Sequence, residues 1–201
     1  MRITLFTSNK SRHNYLINLL SEVSEELFVI QECTTILSVP NHYHASPIMK
    51  KYFENVVDAQ FHLFGNSYIN NKKNINILPL LSGDLNQCSL KLLSDFLKSD
   101  IYIVFGCSYI KGELVDFLVN QKAINIHAGV SPYYRGSACN FWALYDENFH
   151  LVGSTIHFLS KGLDSGPMLY HAMSNLKSNP FEYTMSTIKS AFVSIAERIK
   201  D

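Results

Sequence analysis

Five consecutive apolar residues, Ile101-Tyr102-Ile103-Val104-Phe105, constrain this chain more than any other stretch. A run without polar alternation suits a strand covered on both faces, the environment inside a parallel sheet. Gly106-Cys107-Ser108-Tyr109-Ile110 follows at once, so the strand ends in a loop. In open α/β sheets ligands bind beyond the carboxyl ends of the strands, which makes that loop a candidate binding segment.

The rest of the chain supplies the other layers. Ile3 to Thr7, Leu27 to Ile30 and Ile75 to Leu78 predict strands. Between them lie helical spacings. Ser11 is the expected cap of a helix carrying Tyr15, Leu16, Leu19, Leu20 and Val23. Ser46 and Pro47 open a longer helix, with Met49, Tyr52, Phe53, Val56 and Val57 along one stripe and Gly65 at its end. Asp84 and Gln87 form a capping-box pattern, predicting a helix that buries Leu90, Leu93, Phe96 and Leu97. Gly112 to Asn120 reads as a short helix. Ala138, Phe141, Trp142 and Tyr145 recur at helical spacing and are expected in the core. Gly153 to Leu159 alternates and Met168 to Met173 follows, a hairpin-like pair of strands. Asn179-Pro180 opens a last helix with Phe181, Met185, Ile188, Phe192 and Ile195 on one face. Alternating strands and helices predict an α/β fold: a mostly parallel twisted sheet with helices on both faces, one domain over residues 1–201.

The chemistry concentrates between Ile124 and Pro167. Asn125 and His127 are two apart in an extended run, so they share one face of a strand. Asp164 sits in Gly162-Leu163-Asp164-Ser165-Gly166-Pro167, a glycine-framed loop that presents a carboxylate from a tight turn. Singly, each is an ordinary core or turn residue. Together, an amide, an imidazole and a carboxylate make a general-base and oxyanion site. Near the start, Ser8-Asn9-Lys10-Ser11 follows a strand and precedes a helix, where nucleotide folds hold phosphate. A glycine fingerprint is missing there, so a dinucleotide site is not supported. Asn9, Lys10, Arg12 and His13 are instead candidate substrate-binding residues, and a solvated turn is the plain alternative. His42 and His44 stand close but have no acidic or thiol neighbour, so no metal is expected.

The central stretch resembles the core signature of the folate-dependent formyltransferases, and its pattern is Asn-x-His, a turn ending in Gly, Thr-x-His, then Asp-x-Gly. This superfamily includes glycinamide ribonucleotide transformylase, methionyl-tRNA formyltransferase and the nucleotide-sugar N-formyltransferases. Asn125 and His127 match the first part, Pro132 and Gly136 the turn, Thr155 and His157 the strand, Asp164 and Gly166 the last. Gly129 and Ser131 depart from the Ser and Leu of that turn, which leaves the loop's shape open.

The resemblance implies a formyltransferase-type fold and 10-formyltetrahydrofolate as cofactor, with no metal. It implies Asn125 as oxyanion donor, His127 as general base and Asp164 as the group orienting His127. It lays Gly106, Cys107, Ser108, Tyr109 and Ile110, with Phe158 and Gly162, along the folate. The Ser-Asn-Lys-x-Arg-His run is most similar to nucleotide-sugar enzymes of surface-polysaccharide synthesis. That implies a nucleotide-linked amino-sugar acceptor met by Asn9, Lys10, Arg12, His13 and Arg135. Glycinamide ribonucleotide and methionyl-tRNA remain alternative acceptors. A silent folate-binding domain, or a metal-dependent hydrolase using His127, His157 and Asp164, are readings of other classes.

Charge and cysteines narrow the setting. Lys plus Arg and Asp plus Glu number seventeen each, so no nucleic-acid or anionic-membrane partner is expected. The apolar runs are too short to span a bilayer, and Met1 to Phe6 lacks the features of a signal peptide. Cys33, Cys88, Cys107 and Cys139 are scattered, as suits reduced thiols in a cytoplasmic protein. A homodimer is compatible with all of this.

Overall fold

The structure, a computed structural model, describes residues 1–34 and 46–200. Its strands are β1 (Arg2–Ser8), β2 (Glu26–Cys33), β3 (Ile75–Leu81), β4 (Ile101–Val104), β5 (Ile124–His127), β6 (Ser154–Phe158) and β7 (Met168–Ala172). Its helices are α1 (Ser11–Val23), α2 (Pro47–Phe64), α3 (Gly112–Asn120), α4 (Cys139–Tyr145) and α5 (Pro180–Arg198). Among the described residues the strands form one sheet in the order β3-β2-β1-β4-β5-β6-β7. The five strands from β3 to β5 run parallel, and β6 and β7 return antiparallel at one edge. The chain leaves β1 toward β2 on one side and resumes with β4 on the other. That reversal opens a crevice beyond the carboxyl ends of β1 and β4.

Alternation along the strands sorts the core into two layers. Ile3, Leu5, Leu27, Val29 and Ile103 face Leu16 and Leu20 of α1, Ala59 and Phe64 of α2, and Ile188, Phe192 and Ile195 of α5. Phe6, Ile30, Tyr102 and Val104 face Leu114, Val115 and Leu118 of α3. Each fully buried Leu or Phe contributes roughly 1.5–3 kcal/mol by leaving water. At the start of α5, Oδ1 of Asn179 accepts hydrogen bonds from the N–H groups of Phe181 (2.9 Å) and Glu182 (3.2 Å). Two of the orphan donors of that helix end are thereby satisfied.

Four local expectations are corrected. Ser11 is the first helical residue of α1, and Lys10 occupies the cap position without a side-chain cap bond. No α-helix follows Asp84: residues Asp84–Gln87 make a 3-10 turn, and the chain continues in turns to Leu97. The polar side chains there bond locally or elsewhere, with Ser89 Oγ accepting from the Leu92 N–H at 3.2 Å and Asn86 reaching residues 109 and 111. Separate turn bonds hold the stretch, among them Leu93 N–H to the Ser89 carbonyl at 3.2 Å and Leu97 N–H to the Leu93 carbonyl at 3.0 Å. The apolar stripe of α4 is not core: Phe141 is 39% exposed, Trp142 49% and Tyr145 71%, while Cys139, Asn140 and Ala143 turn inward. On α2, Met49 and Val57 are likewise exposed. His42 and His44 lie outside the described residues.

Candidate active site

β5 is paired with β6 so that Asn125 lies opposite His157 and His127 opposite Thr155. All four side chains therefore share one face. The loop after β6 brings Asp164 over them. Its Oδ1 accepts from the amide nitrogen of Asn125 at 3.1 Å, and its Oδ2 accepts from the Gly136 N–H at 2.9 Å and lies 3.2 Å from Nδ1 of His127. Asn125, His127 and Asp164, expected to converge, stand in one connected group with His157.

The hydrogen bonds define the protonation pattern. Nδ1 of His157 is 2.8 Å from the Phe158 carbonyl, which can only accept, so Nδ1 carries the hydrogen. In the neutral ring Nε2 is then an acceptor, and Asn125 donates to it at 3.0 Å. Both amide hydrogens of Asn125 are thus committed, one to His157 and one to Asp164. On His127, Nε2 donates to the Tyr134 carbonyl at 2.9 Å, which leaves Nδ1 bare in the neutral ring and turned toward Asp164. Burial lowers the pKa of His127 below its ordinary value, against the opposite pull of Asp164 and the Tyr134 carbonyl. Burial pushes Asp164 upward, but His157, His127 and the Gly136 N–H outweigh it and hold the carboxyl below its usual range. The resting pair is a neutral imidazole beside a carboxylate.

Glycines make this arrangement possible. A Cβ on Gly129 would stand 2.5 Å from Nε2 of His127 and 2.5 Å from Cβ of Cys139. The departure from Ser at this position therefore clears space for the His127 ring. A Cβ on Gly166 would lie 1.8 Å from the Phe158 carbonyl oxygen, so only glycine lets the Asp164 loop press against the end of β6. Asp164 itself has φ +42°, a left-handed conformation that Asp tolerates better than most residues. Thr155 fastens the turn after β5: its hydroxyl donates to the Gly129 carbonyl at 2.6 Å and accepts from the Ser131 N–H at 2.9 Å.

This group lines a cavity of about 470 Å³ at the crevice beyond β1 and β4. Gly106, Cys107, Ser108, Tyr109 and Ile110 line it from one side, and Leu159, Ser160 and Gly162 to Asp164 from another. Phe158 does not line it. The hydroxyl of Tyr109 donates to the Lys161 carbonyl and so ties the two loops together. Burial pushes the Cys107 thiol up to about 12 with help from Glu32, and burial with Asp164 pushes Cys139 to about 11. Neither is a thiolate nucleophile. Lys10, Arg12 and His13 also line the cavity. His13 is buried, its Nδ1 2.7 Å from the Thr7 hydroxyl and its ring 4.8 Å from that of Phe105. Asn9 turns away to the Thr34 backbone (3.0 and 3.1 Å), and Arg135 is exposed outside the lining.

Two supporting residues escape sequence reading. Glu32, at the end of β2 and 2% exposed, accepts from the Gly83 N–H at 2.9 Å and from the Ser108 N–H at 2.6 Å. Asn86 donates to the Tyr109 carbonyl at 2.9 Å and accepts from the Lys111 N–H at 2.8 Å. Both hold the 106–110 loop from afar. A carboxylate closing an apolar strand was the available signal for Glu32; Asn86 had none. Among the described residues no three His, Cys, Asp or Glu side chains are disposed to hold a metal ion.

A mostly parallel α/β sheet thus carries an amide, an imidazole and a carboxylate in one connected group beside a cavity. The sequence profile of the formyl transferase family matches residues 86–197, and the chain belongs to that family. Methionyl-tRNA formyltransferase of Thermosynechococcus vestitus is 36% identical over 73 residues, covering 36% of this chain and 22% of that relative's length. Phosphoribosylglycinamide formyltransferase from Anaplasma phagocytophilum has the same fold, with a TM-score of 0.61 at 18% identity over 99% of this chain and 84% of its own. The formyltransferase PseJ from Anoxybacillus kamchatkensis, solved in complex with UDP-4,6-dideoxy-4-formamido-L-AltNAc and tetrahydrofolate, gives a TM-score of 0.50 at 18% identity over 100% of this chain and 77% of its own. Among the described residues no helix is long and apolar enough to cross a membrane.

Proposed function

We propose that this chain transfers a formyl group from 10-formyltetrahydrofolate to the amine of a nucleotide-linked amino-sugar. The observation that carries the reading is the Asn125–His127–Asp164 group lying in the same cavity as the 106–110 loop. The cavity suits a folate: Val104, Ile110, Val115 and Leu159 offer apolar surface, and the loop offers backbone polar groups. A formyltransferase of the same fold has been solved with tetrahydrofolate and a UDP-linked formamido sugar, which supports both ligand classes as candidates.

When bound, the folate supplies the one-carbon acyl group, whose bond to the folate nitrogen is exchanged for a bond to the acceptor's amine. The acceptor nitrogen must lose a proton as it attacks, and the His127–Asp164 pair takes it. It ends on Nδ1 of His127, the one ring nitrogen without a hydrogen, where the Asp164 carboxylate holds it. The same pair returns it to the departing nitrogen, so no net proton is gained. Asn125 redirects the N–H now given to Asp164 toward the formyl oxygen as negative charge develops there, a contribution of about 3 kcal/mol in comparable sites. Its other N–H stays on His157 and keeps the amide in register.

The acceptor rests on Lys10 and Arg12, two cations lining the cavity, enough for a diphosphate. A second reading, methionyl-tRNA as acceptor, is favoured by the curated relative. Formylation of methionyl-tRNA and of nucleotide-linked 4-amino-sugars under one salt condition separates them. Turnover of the sugar is expected; turnover of the tRNA alone overturns the acceptor while leaving formyl transfer in place.

A further inference from the structure

A second cavity of about 440 Å³ adjoins the first. The two share Arg12, Ala128, Ala138 and Ile188 in their linings, so they meet beside Arg12. Their chemistry differs. The second is walled by rings from three helices: Tyr52 of α2, Phe141 and Tyr145 of α4, and Phe181 of α5. Tyr52 stands edge-on to Phe141 at 5.7 Å and to Phe181 at 5.6 Å, an open box of aromatic faces and edges. Phe141 and Tyr145 stay substantially exposed beside it.

Arg12 is the second, independent observation. The residue is partly buried, and Nη1 donates to the neutral Gln60 Oε1 at 2.6 Å. Among the described residues no carboxylate pairs with it. Burial lowers its pKa only to about 10, so it remains a cation at neutral pH. A partly desolvated, unpaired cation between a polar cavity and an aromatic one asks for an anion.

We propose that the aromatic cavity bounded by Tyr52, Phe141 and Phe181 is the nucleobase subsite, with the diphosphate of the same ligand on Arg12. The ligand class is a nucleoside diphosphate carrying its sugar into the first cavity. This deepens the proposed function and rests on it. The base stacks on the rings, the diphosphate crosses the junction, and the sugar's amine reaches the His127–Asp164 pair.

Calorimetric titration of the intact protein tests this with UDP, dTDP and GDP as probes, and inorganic diphosphate as the baseless control. At least one nucleoside diphosphate should bind roughly tenfold tighter than inorganic diphosphate, the size of a base–aromatic stacking contribution. Phe141→Ser should remove that advantage and leave inorganic diphosphate binding intact; Arg12→Gln should weaken both. Tyr145→Ser, at an exposed ring, gives a second variant whose folding is not at risk, and a smaller loss of the same advantage is expected. Nucleoside diphosphates that bind no tighter than inorganic diphosphate, or a Phe141→Ser protein that keeps the full advantage, overturn the subsite. Titration with 5-formyltetrahydrofolate and an amine-acceptor panel then assign the failure. Formylation of an amino-sugar in that protein leaves the wider reading standing, and folate binding without any formylated amino-sugar removes the acceptor reading itself.

Discussion

Nδ1 of His127 lies 3.2 Å from Oδ2 of Asp164, while the other nitrogen of the same ring donates to the Tyr134 carbonyl. A neutral ring cannot donate to both acceptors, so this imidazole is poised to receive a second hydrogen at Nδ1. Burial opposes that protonation and the Asp164 carboxylate favours it, with burial the larger influence.

The first consequence is a pH profile. The folded pKa of His127 is depressed, so the neutral base persists as pH falls and is lost only through that lowered value. The acid limb of kcat/KM should therefore lie below the ordinary histidine value of 6.5. Asp164→Asn removes the strongest influence raising that pKa, and the limb should move lower still. A limb at or above the ordinary value would contradict the neutral resting state.

His127→Gln should lower kcat roughly 100-fold or more, the range lost with a general base. Folate binding, measured by titration, should be unchanged, because the 106–110 and 159–164 segments are held by other bonds. An unaltered kcat removes His127 from the chemistry.

Gly129→Ser tests how tightly the ring is boxed. Its Cβ would collide with both His127 and Cys139 at 2.5 Å. A loss of about 1–3 kcal/mol in stability is expected from overpacking, with kcat falling as the ring is displaced. Thermal denaturation and steady-state kinetics read the two effects, and a variant with wild-type values in both would show the turn to be looser than described.

Glu32 should act as a positioning residue. In Glu32→Gln one backbone N–H, of Gly83 or Ser108, faces an amide group instead of an oxygen. An unsatisfied buried donor costs about 1–3 kcal/mol. The KM for folate should rise roughly tenfold for each 1.4 kcal/mol that reaches the loop, with kcat held. A fall in kcat at constant KM would place Glu32 elsewhere in the cycle.

Much of this was legible in the residues. The apolar run from Ile101 marks the central strand because burial on both faces excludes polar alternation. Asn179-Pro180 marks the start of α5 because its cap is local. The period of two places Asn125 and His127 on one face for the same reason. Where packing is long-range, the pattern misleads. Phe141, Trp142 and Tyr145 have helical spacing, but a seven-residue helix at the rim buries Cys139, Asn140 and Ala143 instead. Residues 88–97 have apolar spacing, but the chain there makes turns in place of a regular α-helix. Arg135 lies next to Gly136, whose N–H binds Asp164, yet Arg135 itself is exposed and does not line the cavity. Glu32 and Asn86 act on a loop more than twenty residues away in sequence, which no local pattern records.

In the proposed reaction the His127–Asp164 pair moves the proton and Asn125 donates to the formyl oxygen. The most direct measurement follows an isotope-labelled formyl group by NMR from 10-formyltetrahydrofolate to nucleotide-linked amino-sugars. The label should appear as a formamide with the wild-type protein and at greatly reduced rates with Asn125→Ala, His127→Gln and Asp164→Asn. Label that reaches the amine equally fast with all three variants, or never leaves a folate that the wild-type protein binds, would contradict the account.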